Sequence, residues 1–213
     1  MPGAKDGPDG GQPAAPLTER GARTRERIVA AAREVFEEAG FLDTRVSHIT
    51  RRAHVAYGSF YTYFPSKEAV FFEVADRLFE DMTRVGHAPA AGPSPAARIR
   101  RANRAYYEAY RRNAYMMAII EQVATFNAEF QERRRKHRAQ AIGRSSAAIT
   151  RWQREGLVGP EIDPESAARA LAAMIDHTLY LWLVQGEETD EAERQLDTLD
   201  ALTIRALGLG PDS

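Results

Sequence analysis

Apolar residues recur along this chain every three or four positions, which is the spacing of one face of an α-helix. The first such stripe consists of Ile28, Ala32, Val35, Phe36 and Ala39. Gly40 follows it, and glycine commonly occupies the position just after the end of a helix. The pattern therefore predicts a first helix that begins at about Thr18 or Thr24 and ends at Ala39.

The next stretch, residues 44–67, predicts two short helices separated by a tight turn. Val46, Ile49 and Ala53 lie three and four positions apart and form the apolar stripe of the first of them. Thr44 precedes this stripe, where a hydroxyl can accept the free N–H groups of the first helical turn as an N-cap. The helical pattern then breaks for two residues before it resumes.

The second short helix has two different faces. Phe60 and Phe64 lie one turn apart on an apolar face, and Tyr57 and Tyr61 lie one turn apart on a polar face. Pro65 ends this helix, because the residue before a proline is disfavoured in the helical region. Helix, tight turn and helix with an outward aromatic face is the layout of a helix-turn-helix motif.

Six further helices are predicted after this motif, and no strand-like alternation is found in the sequence. They run from Lys67 to about Val85, from about Pro95 to Arg112, from Tyr115 to Glu121, from about Thr125 to Glu155, from Asp163 to Val184, and from Thr189 or Asp190 to just before Gly208. Ser66 is placed to cap the first of these helices, and residues 86–95 form a linker rich in proline, glycine and alanine. Residues 167–184 are apolar on nearly every side, which predicts burial on more than one face.

Composition excludes several classes of protein. The chain has 213 residues, 44% of them hydrophobic, and no cysteine, so it has no disulfide framework and no cysteine nucleophile. It shows no signal-peptide pattern, and its longest apolar stretch contains Arg169, Asp176 and His177, which disfavours a membrane span. Nucleotide-binding, hydrolase and metalloprotease motifs are absent. We therefore predict a cytoplasmic protein that is not an enzyme, needs no cofactor and does not enter a membrane.

The run FYTYFPSKE at residues 60–68 is far more specific than a generic helix-turn-helix pattern. Together with the residues before it, this run resembles the DNA-binding signature of the TetR family of transcriptional regulators. The matching positions are Gly40, Phe41, Thr44, Val46, Ile49, Ala53, Val55, Gly58, Ser59, Phe60, Tyr61, Tyr63, Phe64, Ser66, Lys67 and Glu68. The resemblance implies an all-α fold, in which an N-terminal three-helix DNA-binding domain precedes a C-terminal helical domain for ligand binding and dimerisation.

The chain departs from the family pattern at four positions. Thr50 stands where alanine is usual, and Arg45 stands where threonine or serine is usual. In the turn, His54 replaces glycine and Ala56 replaces serine. Histidine tolerates the left-handed backbone region better than most residues, and the loss of a serine cap typically costs ~1 kcal/mol. The fold is expected to survive these changes.

The resemblance implies three segments: a disordered tail at 1–16, the helix-turn-helix domain at 17–67, and the effector-binding and dimerisation domain at 68–213. The predicted DNA-binding residues are Thr44, Arg45, Tyr57, Gly58, Ser59, Tyr61, Thr62, Tyr63 and Lys67. Tyr57 and its two successors are expected at base edges, and the others at or beside phosphates.

Charge supports this division. Residues 17–67 contain nine Lys and Arg against six Asp and Glu, and residues 68–213 contain nineteen against twenty-two. The N-terminal part is therefore net positive and the remainder net negative, as expected when the first part faces DNA. One or two of Arg20, Arg23, Arg25 and Arg27 are expected to add phosphate contacts.

The C-terminal domain is expected to bind a small apolar or amphipathic effector that releases the protein from its operator. The predicted ligand-binding residues are Tyr106, Tyr110, Met116, Ile120, Phe126, Phe130, Met174 and His177. The last two helices are expected to join two copies into a homodimer that reads a palindromic double-stranded operator. The predicted dimer-interface residues are Leu179, Leu183, Leu196 and Leu199.

Other interpretations remain open at this point. The chain could be a regulator that answers to a protein partner instead of a small molecule, or a helical enzyme, although no catalytic motif supports the latter. The basic run 133–138 is either a solvated helix segment or an anion site at a pocket mouth. His48 and His54 lack partners at metal-ligand spacing, so no metal site is predicted.

Overall fold

The structure, a computed structural model, describes residues 18–86, 94–187 and 191–210. These residues form nine α-helices and no strand, which confirms the all-α prediction. The helices are α1 (Glu19–Asp43), α2 (Val46–Arg52), α3 (Tyr57–Phe60), α4 (Lys67–Gly86), α5 (Pro95–Arg112), α6 (Ala114–Phe126), α7 (Ala128–Arg154), α8 (Pro164–Leu183) and α9 (Ala192–Ala206). The predicted disordered tail, most of the predicted linker and the predicted start of the last helix at Thr189 or Asp190 lie outside the described residues.

The end of α1 corrects one capping prediction. Gly40 has φ 73° and ψ 175°, so the chain turns sharply there and Phe41 enters the core. Thr44 is only 2% exposed, and its hydroxyl donates to the carbonyl oxygen of Gly40 at 2.6 Å. Its side chain therefore closes the end of α1, and Arg45 occupies the N-cap position of α2 instead.

The turn between α2 and α3 tolerates its unusual residues. His54 has φ 52°, which is the left-handed conformation that glycine would adopt most easily. Ala56 is the N-cap residue of α3 and supplies no side-chain acceptor. Behind this turn Phe60 and Phe64 are buried, and the Ser66 hydroxyl accepts the N–H of Ala69 at 3.2 Å at the start of α4, as predicted.

Two helix boundaries differ from the sequence prediction. The helix predicted at 115–121 extends to Phe126, and the long helix after it begins only at Ala128. Asn127 causes the break, because its side-chain oxygen accepts the N–H of Phe130 at 2.9 Å as an N-cap. Phe126 therefore ends α6 and is exposed, instead of joining the apolar stripe of α7.

An aromatic cluster joins the N-terminal helices to the rest of the molecule. It consists of Phe36 and Phe41 from α1, Phe71 and Phe72 from α4, and Phe130 from α7. The ring centroid of Phe71 lies 4.9 Å from that of Phe41 and 5.0 Å from that of Phe130, which is close aromatic contact. Helix α1, which packs against α2, is thus packed on α4, and α4 is packed on α7.

A second cluster of buried residues lies farther along the chain. It includes Ile99 from α5, Ile142 and Trp152 from α7, Ala168 from α8 and Leu207 after α9. This second cluster shares none of its buried residues with the aromatic cluster. This second cluster holds α5, α7, α8 and the end of α9 together.

The predicted dimer-interface residues fall mostly inside the chain. Leu179, Leu196 and Leu199 are buried against the chain's own helices, so they are not available to a second copy. Leu183 is half-buried, and Leu202 on α9 is 50% exposed. Helix α8 was expected to be buried on more than one face, yet within this chain only Ala168 and Leu179 of α8 are buried. In the part of the chain that the structure describes, no helix is long and apolar enough to cross a membrane.

Candidate functional sites

The outward face of α3 is the first candidate site. Tyr57 and Tyr61 are 55% and 47% exposed, and their hydroxyl oxygens lie 3.2 Å apart. This hydrogen bond raises the pKa of Tyr61. A tyrosine hydroxyl can donate as well as accept a hydrogen bond. Gly58 lies between them with open space around its Cα, so the helix surface there can approach another molecule closely.

Contacts on the inner side of the helix-turn-helix hold this surface in place. The Arg25 guanidinium lies 4.9 Å from the ring centroid of Phe64, and it donates two hydrogen bonds to the Glu73 carboxylate at 2.9 and 3.0 Å. Arg25 and Arg77 hold the pKa of Glu73 below its usual value. Arg25 thereby connects α1, the segment after α3 and α4, and its charge is already paired inside the protein.

Two of the predicted phosphate contacts have partners within the chain. Thr44 was predicted to contact a phosphate, but it is buried and its hydroxyl donates to the carbonyl oxygen of Gly40. The ammonium of Lys67 donates to the carbonyl oxygens of Phe41 at 2.7 Å and Thr44 at 2.9 Å, and it lies 4.4 Å from the Phe41 ring centroid. Burial lowers the pKa of Lys67. This side chain stabilises the junction between α1 and α4, whatever else it contacts.

The remaining predicted DNA-binding residues lie at or near the surface of this domain. Arg45, Thr62 and Gly58 are exposed, and Ser59 and Tyr63 are half-exposed. Among the four arginines at the start of α1, Arg23 pairs with Glu19, while Arg27 donates to the carbonyl oxygen of His54 at 3.3 Å.

The second candidate site is a cavity of about 1100 Å³, which is lined by residues of the second cluster, among them Ile142 and Trp152. Helices α4, α5, α7 and α8 form its walls, and Thr203 and Leu207 close one side. Small side chains explain the space. The alanines that line it are Ala102, Ala105, Ala141, Ala147, Ala148, Ala168 and Ala172. Helices whose facing residues are alanines leave between them the volume that larger side chains would fill.

One polar group of three residues lies in the cavity wall. The Tyr106 hydroxyl donates to one oxygen of Asp176 at 2.9 Å, and Arg138 donates to the other oxygen at 3.0 Å. Burial and the nearby Asp176 carboxylate raise the pKa of Tyr106 well above its usual range. Each carboxylate oxygen of Asp176 therefore already accepts one hydrogen bond.

A second polar contact lies behind the wall. Asn103 lines the cavity and donates to the buried Asp200 at 2.7 Å, whose second carboxylate oxygen has no hydrogen-bond partner within the described residues. Burial raises the pKa of Asp200.

Arginine dominates the charged residues around the cavity. Three come from α4 and α5, namely Arg84, Arg98 and Arg101, and four come from α7, namely Arg134, Arg138, Arg144 and Arg151. Asp176 is the one carboxylate among the described residues of this lining. His137 also lines the cavity, and its Nε2 lies 2.9 Å from Asp76.

The structure corrects most of the predicted ligand-binding residues. Of the eight, only Tyr106 lines the cavity. Four others are fully buried in the core, namely Tyr110, Met116, Ile120 and Phe130. Phe126 and His177 are exposed, and Met174 is half-buried outside the lining. The prediction selected large apolar residues, and these fill the core because of their size.

Sequence reasoning missed the residues that actually surround the space, such as Ile142, Ile175 and Leu171. The sequence feature that could have located the cavity is the repeated alanine at helical spacing on α5, α7 and α8. Within the described residues no group of acidic and histidine side chains is suited to hold a metal ion.

Comparison with known proteins gives a consistent picture. Residues 28–74 match the family model described as bacterial regulatory proteins, tetR family. The regulator YdgC of Bacillus subtilis is 41% identical over 58 residues, which is 27% of this chain and 30% of that protein. The regulator EthR of Mycobacterium tuberculosis is 24% identical over 183 residues, covering 84% of this chain and 85% of EthR.

The similarity in fold extends over the whole described molecule. The structure of Salmonella enterica GusR superposes with a TM-score of 0.73 at 26% identity, covering 90% of this chain and 98% of GusR. The match to YdgC has the higher identity but spans less than a third of that relative. The C-terminal helices share their arrangement with these regulators, but little of their sequence.

Proposed function

We propose that this chain, a member of the TetR family of bacterial regulatory proteins, is a homodimeric transcriptional repressor that leaves its operator when a small apolar or amphipathic molecule fills the cavity. The observation that carries the proposal is the pairing of two features in one molecule. Helix α3 presents two exposed tyrosines on a rigid support, and α4 connects that support to a large cavity. Regulators, not enzymes, share this fold and family.

DNA reading is assigned to the outward face of α3. Tyr57, Gly58 and Ser59 meet base edges in the major groove, because this face is exposed and its opposite face is fixed by Phe60. Arg45, Tyr61, Thr62 and Tyr63 lie beside it and contact phosphates, which position the protein without reading sequence. Lys67 contributes mainly by holding the domain in shape, since its ammonium already has two carbonyl partners.

Dimerisation is assigned to the uncovered faces of α8 and α9. Leu202 is an exposed apolar residue on α9, and Ala170, Ala173 and His177 are exposed on α8. A two-fold dimer uses the same patch on both copies. It must place its two reading helices about 34–36 Å apart, or a multiple of that, to enter successive major grooves.

Release is assigned to α4, which touches both sites. Its C-terminal half contributes Phe79 and Met82 to the cavity, and its first residue, Lys67, binds the end of α1. A ligand shifts the protein between two conformations only as far as it prefers one of them. Filling the cavity favours conformations in which α4 moves away from α5 and α7, and this changes the spacing of the two reading helices.

The first experiment selects duplexes from a random DNA pool with the purified protein and then measures affinity for the selected site. Tyr57→Ala should weaken binding about tenfold and relax the preference at one or two positions, because a base-edge contact contributes about 1–3 kcal/mol of discrimination. Tyr115→Ala removes an even more exposed tyrosine from α6 and should leave both the affinity and the sequence preference unchanged. Failure of the wild-type protein to select any sequence would contradict the proposal.

The second experiment tests release. 1-Dodecanol, dodecanoate and naphthalene are titrated against the protein–operator complex, and the complex is followed by fluorescence anisotropy. Ala148→Trp fills the cavity and should abolish release, while Ala139→Trp on the exposed face of the same helix should respond as the wild type does. A regulator that answers to a protein partner would show no release by any of the three compounds and no effect of Ala148→Trp.

A further inference from the structure

The cavity lining carries an unusual charge imbalance. Seven arginines line it against one carboxylate among the described residues, and Asp176 is already bound by Tyr106 and Arg138. Three other arginines pair with acidic residues outside the lining: Arg84 with Asp81, Arg134 with Glu121, and Arg151 with Glu155. Arg98 and Arg101 also have interaction partners, so six of the seven arginines are already engaged.

Arg144 is the arginine of the lining whose charge is not paired by a described residue. It is exposed on α7, lines the cavity and has no hydrogen bond or ion pair to any residue that the structure describes. Its neighbour one turn farther in the lining, Ala148, is small and apolar. A guanidinium with five donors thus lies beside apolar space, where it can bind a planar carboxylate or a phosphate with two parallel hydrogen bonds.

A simple inorganic anion does not match this cavity, because most of the interior is apolar. Its deeper lining includes Ile99, Ile142, Ile149 and Leu171, which offer no hydrogen bonds to replace lost water. Apolar surface buried there stabilises a complex by roughly 25 cal/mol per Å². The ligand that uses both parts of the lining has an apolar body and a charged end.

We infer that the cavity binds an anionic amphipath, in which a long apolar body ends in a carboxylate or phosphate that pairs with arginines at the cavity surface, Arg144 among them. The regulatory meaning of this binding rests on the function proposed above, but the binding itself does not. A cationic amphipath is disfavoured by the like charge of Arg144, and a neutral one leaves the Arg144 guanidinium without a partner.

Trp152 provides a direct test, because it lines the cavity and the chain contains only one other tryptophan, Trp182. In a Trp182→Phe background, Trp152 fluorescence is titrated with dodecanoate, dodecyl phosphate, 1-dodecanol and dodecylammonium, each below its micelle concentration. The two anions should bind at least tenfold more tightly than the alcohol, and the ammonium compound most weakly. The comparison of dodecanoate with dodecyl phosphate decides between a carboxylate and a phosphate ligand. Equal affinity for the alcohol and both anions would overturn the inference.

Variants of Arg144 test the assignment of the anion site. Arg144→Gln should weaken dodecanoate binding roughly threefold to tenfold and leave 1-dodecanol binding unchanged, because only the charge-assisted contact is lost. Arg144→Lys should retain part of the preference, since it keeps the charge but not the fork of donors. Arg154→Gln on the same helix, outside the lining, is the matched control and should match the wild type. Unchanged dodecanoate affinity in Arg144→Gln, with the alcohol still the weaker ligand, would refute the role of Arg144.

The two proposals fail in different ways. If the neutral alcohol releases the operator and binds as well as the anions, the function stands and the ligand class is wrong. If dodecanoate binds with the expected preference but never weakens the operator complex, the ligand class stands and the proposed release is wrong. Raising the ionic strength should weaken dodecanoate binding and leave alcohol binding nearly unchanged.

Discussion

The two ends of the contact between α4 and α7 are built from different side chains. At one end, Phe71 and Phe72 of α4 pack on Phe130 of α7, with ring centroids 5.0 and 5.5 Å apart. At the other end, Phe79 and Met82 of α4 face a cavity whose α7 side includes Ala141 and Ala148. The same pair of helices is therefore packed at its N-terminal end and open at its C-terminal end.

The difference between the two ends comes from the size of the side chains that face each other. Protein interiors are packed as densely as organic crystals, so an open volume of this size needs residues too small to close it. Alanine leaves that space without lowering helix propensity, because it is the best helix former. Alanine therefore keeps each helix stable while a volume stays open between the helices.

The largest effect is expected from a substitution at the packed end of the contact between α4 and α7. Phe71→Ala removes a ring that touches Phe36, Phe41 and Phe130, and it should lower the free energy of unfolding by about 3–5 kcal/mol. Ala148→Leu adds a larger side chain at the open end, where space exists, and should change stability by less than about 1.5 kcal/mol. Urea denaturation followed by circular dichroism measures both. A cost for Ala148→Leu that equals that of Phe71→Ala would mean that the open end is packed after all.

A smaller effect is expected at Leu202, a surface residue that the described part of the chain leaves half exposed. Leu202→Glu should leave the free energy of unfolding of the monomer nearly unchanged, because the residue is half exposed, but it should weaken dimerisation at least tenfold. Sedimentation velocity at low micromolar concentration measures the dimer. Leu42→Glu changes an exposed leucine of the N-terminal domain and serves as the control. Undiminished dimers of Leu202→Glu would place the interface on another face.

The smallest effect is expected behind the cavity wall, at Asp200. Burial raises the pKa of this carboxyl in the folded protein, so ionisation at neutral pH opposes folding. Asp200→Asn should therefore raise the free energy of unfolding at pH 7 by about 1 kcal/mol, while keeping an acceptor for Asn103. The gain should vanish as the pH falls below the ordinary pKa of an aspartate, near 4, where the wild-type carboxyl is protonated in both states. Equal stabilisation at pH 7 and pH 3 would mean that shape, not charge, is responsible.

Much of the fold could be predicted from the sequence because helix signals are local. Spacing and caps located α5 and the start of α8, where Asp163 accepts the N–H of Ser166 at 2.9 Å. The break at Asn127 was missed, because an apolar stripe continues past it and the cap is a single side chain. The helix-turn-helix was found because its FYTYFPSKE run is specific.

The cavity could not be located in the same way. Periodicity shows that a residue faces inward, but it does not show whether another element fills the space opposite. Phe130 and Tyr110 were expected to line a pocket and are packed in the core, while Leu196 was expected at a dimer interface and packs inside its own chain. These outcomes depend on which helices meet, which is set by contacts distant in sequence.

The contact of Lys67 with the end of α1 has a mechanical consequence. Helix α4 has 20 residues, and a helix of that length is a stiff rod of about 30 Å. Its near end is fastened by an ammonium group to two backbone carbonyls, while Met82 at its far end borders open volume. A pivot tilt of about 3° would move the opposite end of such a rod by roughly 1.5 Å. Because the Lys67 ammonium binds two backbone carbonyls at the end of α1, a movement of α4 would be transmitted to the helix that precedes the helix-turn-helix.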